Sequence, residues 1–493
     1  MNQFTPWDVP QIMDDARTLP NSGRQRLVAL LAICALLTGA PFASHAQVHG
    51  YRVGVDADLA GLAVQVALEG RVRTLKTRHA KTAEYISHTQ TCEGQPLERR
   101  GRQVDVPLGV SCITYRYDLA GAADDNPSRW VRLSSANRLS SSSDWLLLPP
   151  LSAETTIEVA FALPPGQRVS APWKPVGQPN TYRFGQSPRS SDAQIAMGSF
   201  IYDEISVAGS TLRVSLLADD GGQSDRAKML DWLSQSAQNV VSAYGRFPHP
   251  NPQIIVVPVR GSRNSPVPFG RVMRDGGEAV QFFADPDRTL ADFNADWTAT
   301  HEFAHLLLPH ISDRWVSEGF ASYYQNVLMA RGGNYTEIRG WEKLHAGIER
   351  ARNVTPKMSP NDTSGGGRKP RMMVYWVGAA IALLGDVQQR QQSGGRESLE
   401  VILKRLQACC LPSDRSWTAR ELFRKFDELS EHKVWFSLYR KYSSSPGVPD
   451  LETVYAQLGI QLAQDGSITL YDAAPQSKLR RQLMGPSAST NAQ

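Results

Sequence analysis

The chain is poor in the residues that most directly announce a chemistry. Of its 493 residues only 5 are cysteine and 10 are histidine. No two of the cysteines stand at the spacing of a zinc knuckle or ribbon, which excludes a structural zinc module of that kind. Long apolar runs are equally scarce. The one from Leu27 to Leu37 falls well short of the roughly 20 residues that a spanning helix needs, so no stable membrane span is expected. Charge of one sign is missing too: 53 Lys and Arg face 48 Asp and Glu, a net +5 scattered along the chain, which speaks against a nucleic-acid partner. There is no internal repeat, which excludes a solenoid or propeller.

What is present is ordinary globular material. Hydrophobic residues make up 41% and charged residues 20%, enough to bury several cores, and the length implies more than one domain. The N-terminus has its own pattern. Arg24 and Arg26 precede the apolar run, and Ala43-Ser44-His45-Ala46-Gln47 follows with small residues. That is the layout of a secretory signal with a long n-region, so residues 1–46 are expected to be removed and the rest exported, periplasmic or secreted. In an oxidising compartment Cys92 and Cys112, flanking a polar loop, are expected to pair. Cys409 and Cys410 are adjacent, and a ring between neighbours is strained, so they are expected as buried thiols at a helix end.

Hydrophobic periodicity divides the remainder. From 47 to 215, apolar residues recur every second position, as in Ile157, Val159, Phe161 and Leu163, with Pro, Gly and Ser breaks between runs. Period two with such breaks predicts a β-sandwich of antiparallel strands, with the serine-rich stretch Leu139 to Asp144 as an exposed loop. Near Asp225 the period becomes helical, in Met229, Leu230, Leu233, Ala237, Val240 and Val241. Short strands follow at Gln253 to Val259 and Ala279 to Phe283. Residues 216–392 are assigned to one α+β domain, 393–470 to a C-terminal helical region and 471–493 to a polar, disordered tail. A mobile loop is expected over 353–369, where Pro, Gly, Ser and Thr concentrate.

The chemistry concentrates where histidine does. His301-Glu302-Phe303-Ala304-His305 places two imidazoles at i and i+4, one above the other on a helix face, where both can hold one ion. Glu302 lies one residue round the helix, in reach of a water on the metal rather than of the metal itself. Two ligands and one general base on a helix are the pattern of a zinc hydrolase. A third ligand is needed. Glu318, in a second helical stretch from Trp315 to Met329, returns to the imidazoles if a tight loop containing Pro309 joins the two helices. His310 is the competitor, but the three-histidine pattern uses a longer spacing with a glycine that is absent here.

With these pieces on the page the chain resembles the gluzincin metallopeptidases, most closely the glycyl aminopeptidase family and more distantly aminopeptidase N. The likeness runs from about 200 to 465. It is carried by Tyr244-Gly245-Arg246-Phe247-Pro248, His301 to His305, Ser317-Glu318-Gly319-Phe320-Ala321 and Tyr375-Trp376-Val377-Gly378. It implies a multidomain α+β protein: an N-terminal β-sandwich, a thermolysin-like zinc catalytic domain and a helical C-terminal region. It also implies one zinc ion on His301, His305 and Glu318, Glu302 as catalytic base, Tyr375 as a phenol facing the developing oxyanion, and a peptide or protein substrate. Gly276, Gly277 and Glu278 stand where such enzymes carry a glycine-led strand and an amine-binding glutamate. The chain departs from the family where the link from His305 to Glu318 is short, Val377 replaces a lysine, Glu278 is one place early, and the residues after about 465 are too few for the PDZ domain that usually ends such enzymes. Aminopeptidase and endopeptidase activity both stay open, as does an inactive peptide- or envelope-binding protein, against which the intact Glu302 argues.

Overall fold

The computed structural model describes residues 47–125, 131–134, 136–185, 193–274, 276–355, 357–363, 371–413, 415–463, 465–473 and 476–485. The expected leader, 1–46, lies outside the described residues, as does most of the 353–369 loop beyond its short helix Pro360–Thr363.

Two cores organise the chain. The first gathers apolar side chains from Tyr51 to Met197 between a seven-stranded and a four-stranded sheet. Alternation drives it: along Thr155–Ala162 every second side chain is buried, so one face is apolar and one wet. The central strand Gln47–Val55 runs parallel to Thr155–Ala162, so the lobe is not purely antiparallel as expected. Cys92 and Cys112 are bonded across the edge of this lobe, with Cα atoms 5.4 Å apart.

The second core is continuous from Ile205 to Met484. Its sheet has five strands in the order Ile201–Val207, Ser210–Leu216, Gln253–Pro258, Ala279–Ala284, Phe269–Met273. The first two strands were expected in the sandwich, because their alternation looks the same. Ser210–Leu216 instead pairs parallel with Gln253–Pro258, which moves the boundary between the lobes to about residue 200. Helices pack on this sheet and on one another, and the C-terminal helices share the same core rather than forming a separate body. A small hairpin, Ile460–Leu462 with Ile468–Leu470, interrupts them.

Three expectations fail for identifiable reasons. The serine-rich stretch is not an exposed loop: it forms Asn137–Ser141 and the turn of helix Ser142–Trp145, all buried. Its hydroxyls replace water, since Ser140 Oγ accepts from Trp145 Nε1 at 3.2 Å and Ser142 Oγ from the Ala193 amide at 3.0 Å. The tail is not disordered as far as Gly485. Helix Gln476–Met484 buries Leu483 and Met484, and Arg331 Nε donates to the Leu483 carbonyl at 2.7 Å. Residues 486–493 lie outside the described residues. Finally, Cys409 and Cys410 are bonded to each other rather than free.

Two helices set the position of the candidate site. The helix Arg314–Arg331, here the glutamate helix, crosses Arg371–Gln392, the tyrosine helix, at a glycine pair. A Cβ on Gly319 would stand 2.4 Å from the Gly378 Cα, and one on Gly378 would stand 1.9 Å from the Trp315 carbonyl oxygen. Glycine is therefore required on both sides, one residue after Glu318 and three after Tyr375. Below the crossing a buried charge network holds the same two helices. Tyr323 donates to Asp386 at 2.8 Å, and Arg390 bonds Asp386 at 3.0 Å and Glu400 at 2.5 Å. Arg331 closes it on Glu400 at 2.6 Å. Replacing Gly378 with alanine should cost about 1–3 kcal/mol through overpacking. We expect a lowered unfolding midpoint in calorimetry, together with reduced turnover because Tyr375 moves with its helix. An unchanged midpoint would show that the crossing can relax.

Candidate metal centre

The helix Thr298–His305 carries both histidines and lies against the edge strand Phe269–Met273. It ends at His305. The short loop to the glutamate helix is clamped from outside: Ser312 N donates to the Trp417 carbonyl at 2.9 Å and Trp417 N to the His310 carbonyl at 2.8 Å. That clamp lets a trimmed link still return Glu318 to the imidazoles. Glu318 Oε2 lies 3.4 Å from His301 Nε2 and 3.5 Å from His305 Nε2. The ligand atoms of His301, His305 and Glu318 all lie within 4.8 Å of one another, the one such group found among the described residues. His310 is not in it; its Nδ1 meets Ser416 Oγ at 2.7 Å.

These separations suit an ion better than they suit hydrogen bonds. Direct N–H···O contacts concentrate at 2.7–3.2 Å, whereas tetrahedral bonds of about 2.1 Å separate neighbouring ligand atoms by about 3.4 Å. The imidazoles are also aimed. His301 Nδ1 meets the Gln325 amide oxygen at 2.7 Å. An amide oxygen only accepts, so Nδ1 carries the hydrogen and Nε2 presents its lone pair to the cluster. Ser317 Oγ meets His305 Nδ1 at 3.3 Å and orients that ring; a hydroxyl donates as well as accepts, so this contact does not fix the tautomer. Trp297 packs edge-on against the His301 ring at 5.4 Å.

The charges around the cluster divide by role. Burial alone would raise the Glu318 pKa, but the two imidazoles that face it outweigh this and hold the carboxylate far below its usual range. Burial lowers His301, and the contact with Glu318 and the charge of Glu302 outweigh that, leaving it raised. Glu302 is different: burial raises it, and the nearby His305 and His301 oppose this only in part. It is the carboxylate tuned towards accepting and releasing a proton. Tyr375 lies beside the cluster, its ring 6.1 Å from that of His301. Burial, and then the charges of Glu318 and Glu302, push its pKa far up, so the phenol stays protonated.

The strand nearest the chemistry was not visible in the sequence. A Cβ on Gly270 would stand 2.6 Å from Glu302 Cγ, so this edge strand presses directly on the base. Among the described residues the strand has one ladder partner, Ala279–Ala284, and stands at the edge of its sheet. Gly276 and Gly277 lie in the turn after it. Gly276 has φ 77°, and a Cβ on Gly277 would meet the Pro172 carbonyl at 2.0 Å, so Gly277 is shut against the first lobe. Glu278 is buried; Arg274 Nη1 donates to its Oε1 at 3.0 Å, while Arg274 Nη2 donates to the His305 carbonyl at 2.7 Å. Glu278 Oε2 is buried without a hydrogen bond.

Gln325 also escaped sequence reading, since a glutamine in the middle of an apolar helix carries no pattern. Its replacement by leucine should weaken metal binding about 10–100-fold, the usual cost of losing a partner behind a histidine ligand. Competitive titration with a chromophoric chelator checks this, and glutamate at the position, which still accepts from Nδ1, should restore most of the affinity.

Solved structures share this fold. An aminopeptidase N family protein from Idiomarina loihiensis is 14% identical and aligns over 84% of this chain and 79% of its own, with a TM-score of 0.63. A two-domain M1 zinc metallopeptidase, as a mutant bound to L-arginine, is also 14% identical, over 82% of this chain and 95% of its own, with a TM-score of 0.50. At this identity the likeness is one of fold. No family model matches the chain. No curated protein matches it either.

Proposed function

We propose that the chain is a zinc-dependent peptidase of the aminopeptidase type. The observation that carries this reading is the triangle of His301, His305 and Glu318, with Glu302 one residue round the same helix. Two imidazoles and one carboxylate, leaving a fourth position open, are a catalytic zinc set rather than a structural one. Bound there, a zinc ion supplies Lewis acidity, polarising the scissile carbonyl and bringing the pKa of a bound water towards roughly 7.

The chain's own groups supply the rest. Glu302 accepts the proton of the attacking water and passes it to the leaving amine, first base and then acid. Its raised pKa suits both halves of that task. Tyr375 donates its phenol hydrogen to the carbonyl oxygen as negative charge builds there. The outer edge of Phe269–Met273 offers backbone groups for an extended substrate, and Gly276 and Gly277 let the chain turn away behind it. The aminopeptidase form of the reading rests on Glu278, whose second oxygen is buried without a hydrogen bond and would accept from a substrate ammonium. The fold neighbour that holds L-arginine, a single amino acid, supports the release of one residue at a time. The leader pattern before Gln47 and the Cys92–Cys112 bond support export to the periplasm or outside the cell. Among the described residues no helix is long and apolar enough to cross a membrane.

Replacing Tyr375 with phenylalanine should lower kcat about 100-fold or more, as loss of an oxyanion donor does, with KM and zinc content little changed. Steady-state kinetics with metal analysis checks it; a rise in KM alone would make Tyr375 a packing residue. The amine requirement is tested by digesting one peptide with a free N-terminus and the same peptide N-acetylated. Stepwise loss of N-terminal residues from the free peptide alone supports the aminopeptidase form. Equal internal cleavage of both would replace it with an endopeptidase.

A further inference from the structure

A cavity of about 800 Å³ opens in the C-terminal region and shares no residue with the metal cluster. Its walls are the last turns of the helix Glu337–Arg352, the helix Glu452–Leu458 and the strand Ile460–Leu462. Deep in it, His345 Nδ1 meets the Tyr455 hydroxyl at 3.2 Å. Its rim is apolar and exposed. Leu462 is 37% and Tyr471 51% accessible, two of four large hydrophobic side chains exposed among the described residues.

The cavity is charged against the grain of the molecule. Glu349, Asp450 and Glu452 line it together with one cation, Arg352. Arg352 is spent on Glu349, which its Nε bonds at 2.9 Å. Among the described residues Asp450 and Glu452 make no salt bridge, and they place negative charge on a protein whose net charge is +5. The strand Ile460–Leu462 adds a third feature. It pairs with Ile468–Leu470 in a two-stranded sheet, so its second edge has, among the described residues, backbone donors and acceptors with no ladder partner.

We propose that this cavity docks an extended peptide segment in which lysine or arginine side chains alternate with apolar ones. Each element of that ligand has its counterpart. The backbone adds to the edge of Ile460–Leu462, the cationic side chains meet Asp450 and Glu452, and the apolar ones lie against Leu462 and Tyr471. The Tyr471 ring can also take a cation on its face. The negative charge disfavours nucleic acids and other polyanions. A docked segment would sit on the far side of the helix Glu337–Arg352 from the tyrosine helix. That helix touches both: a Cβ on Gly347 would meet the Trp376 ring at 2.3 Å, next to Tyr375. The docking site holds whether or not the metal cluster cleaves peptides.

Fluorescence anisotropy with the labelled, N-acetylated and C-amidated peptide Gly-Lys-Phe-Lys-Leu-Gly tests it. Both ends are blocked so that no terminal charge competes. Zinc-free protein should bind it saturably, and the counterpart with glutamate for lysine at least tenfold more weakly. Glu452→Lys and Tyr471→Ala, both at exposed positions, should each raise the Kd about tenfold while leaving the melting temperature unchanged. Equal binding of the two peptides, unaltered affinity in both variants, or no saturable binding would overturn the proposal. If binding follows this pattern and the zinc-loaded protein still cleaves no peptide, the peptidase reading falls and the docking site remains.

Discussion

Glu302→Gln is expected to keep its zinc and lose at least 1,000-fold in kcat, about 4 kcal/mol of barrier. Glutamine has the shape of glutamate, so it fits the space that Gly270 leaves beside the side chain. It cannot accept a proton from water and return it to an amine. Glu302 is also outside the trio whose ligand atoms converge, so the metal should bind as before. KM should stay level or fall, since the ground-state contacts remain. Steady-state assays on a peptide substrate, paired with metal analysis of the same sample, read both quantities. Undiminished turnover would remove Glu302 from the mechanism, and lost zinc would make it a ligand.

Glu318→Gln should act on the other quantity. It removes the one anionic ligand of the three and leaves two neutral imidazoles, a poor set for a divalent cation. We expect zinc affinity to fall more than 100-fold, beyond the usual loss for a residue behind a ligand, with turnover falling in step. Excess zinc should restore part of the activity, which separates this variant from Glu302→Gln. His310→Ala is the control. Its imidazole is turned to Ser416, so zinc content should not change. Full zinc in Glu318→Gln together with loss in His310→Ala would reverse the assignment of the third ligand.

The parts of the site that a helix prescribes were legible in the chain. His301 and His305 share a helix face by spacing alone, Glu302 follows from its place between them, and Glu318 needs only a second helix and a tight return. The tyrosine helix was visible through its apolar period. The clamp of Trp417 on the loop after His310 was not visible, because it joins segments more than a hundred residues apart and leaves no local trace.

The edge strand Phe269–Met273 was missed for a different reason. All five of its residues are partly exposed, so it lacks the alternation that marks a strand with one wet face, and Gly270 weakens its propensity further. The sequence pointed instead to Gly276 and Gly277, which mark the turn that follows and the approach of the first lobe. Polar composition misled in two more places. The serines from Ser140 to Ser143 are buried with partners: an indole for Ser140, a backbone amide for Ser142, and each other, at 2.8 Å, for Ser141 and Ser143. The last helix is polar by count, yet Arg480 anchors it, bonding Glu337 and Asp472 at 2.7 Å each. The Ser142–Ala193 and Arg480–Glu337 pairings join residues 51 and 143 positions apart, so tertiary contact rather than local pattern decided burial there.

The central claim is that one zinc ion, held by His301, His305 and Glu318, makes this chain a peptidase. It is tested most directly by titrating metal-free protein with zinc while following peptide hydrolysis. The account predicts no turnover without metal, a linear rise, and a break at one zinc per chain. Hydrolysis that persists in the metal-free protein, or no hydrolysis after one equivalent has bound, would contradict it.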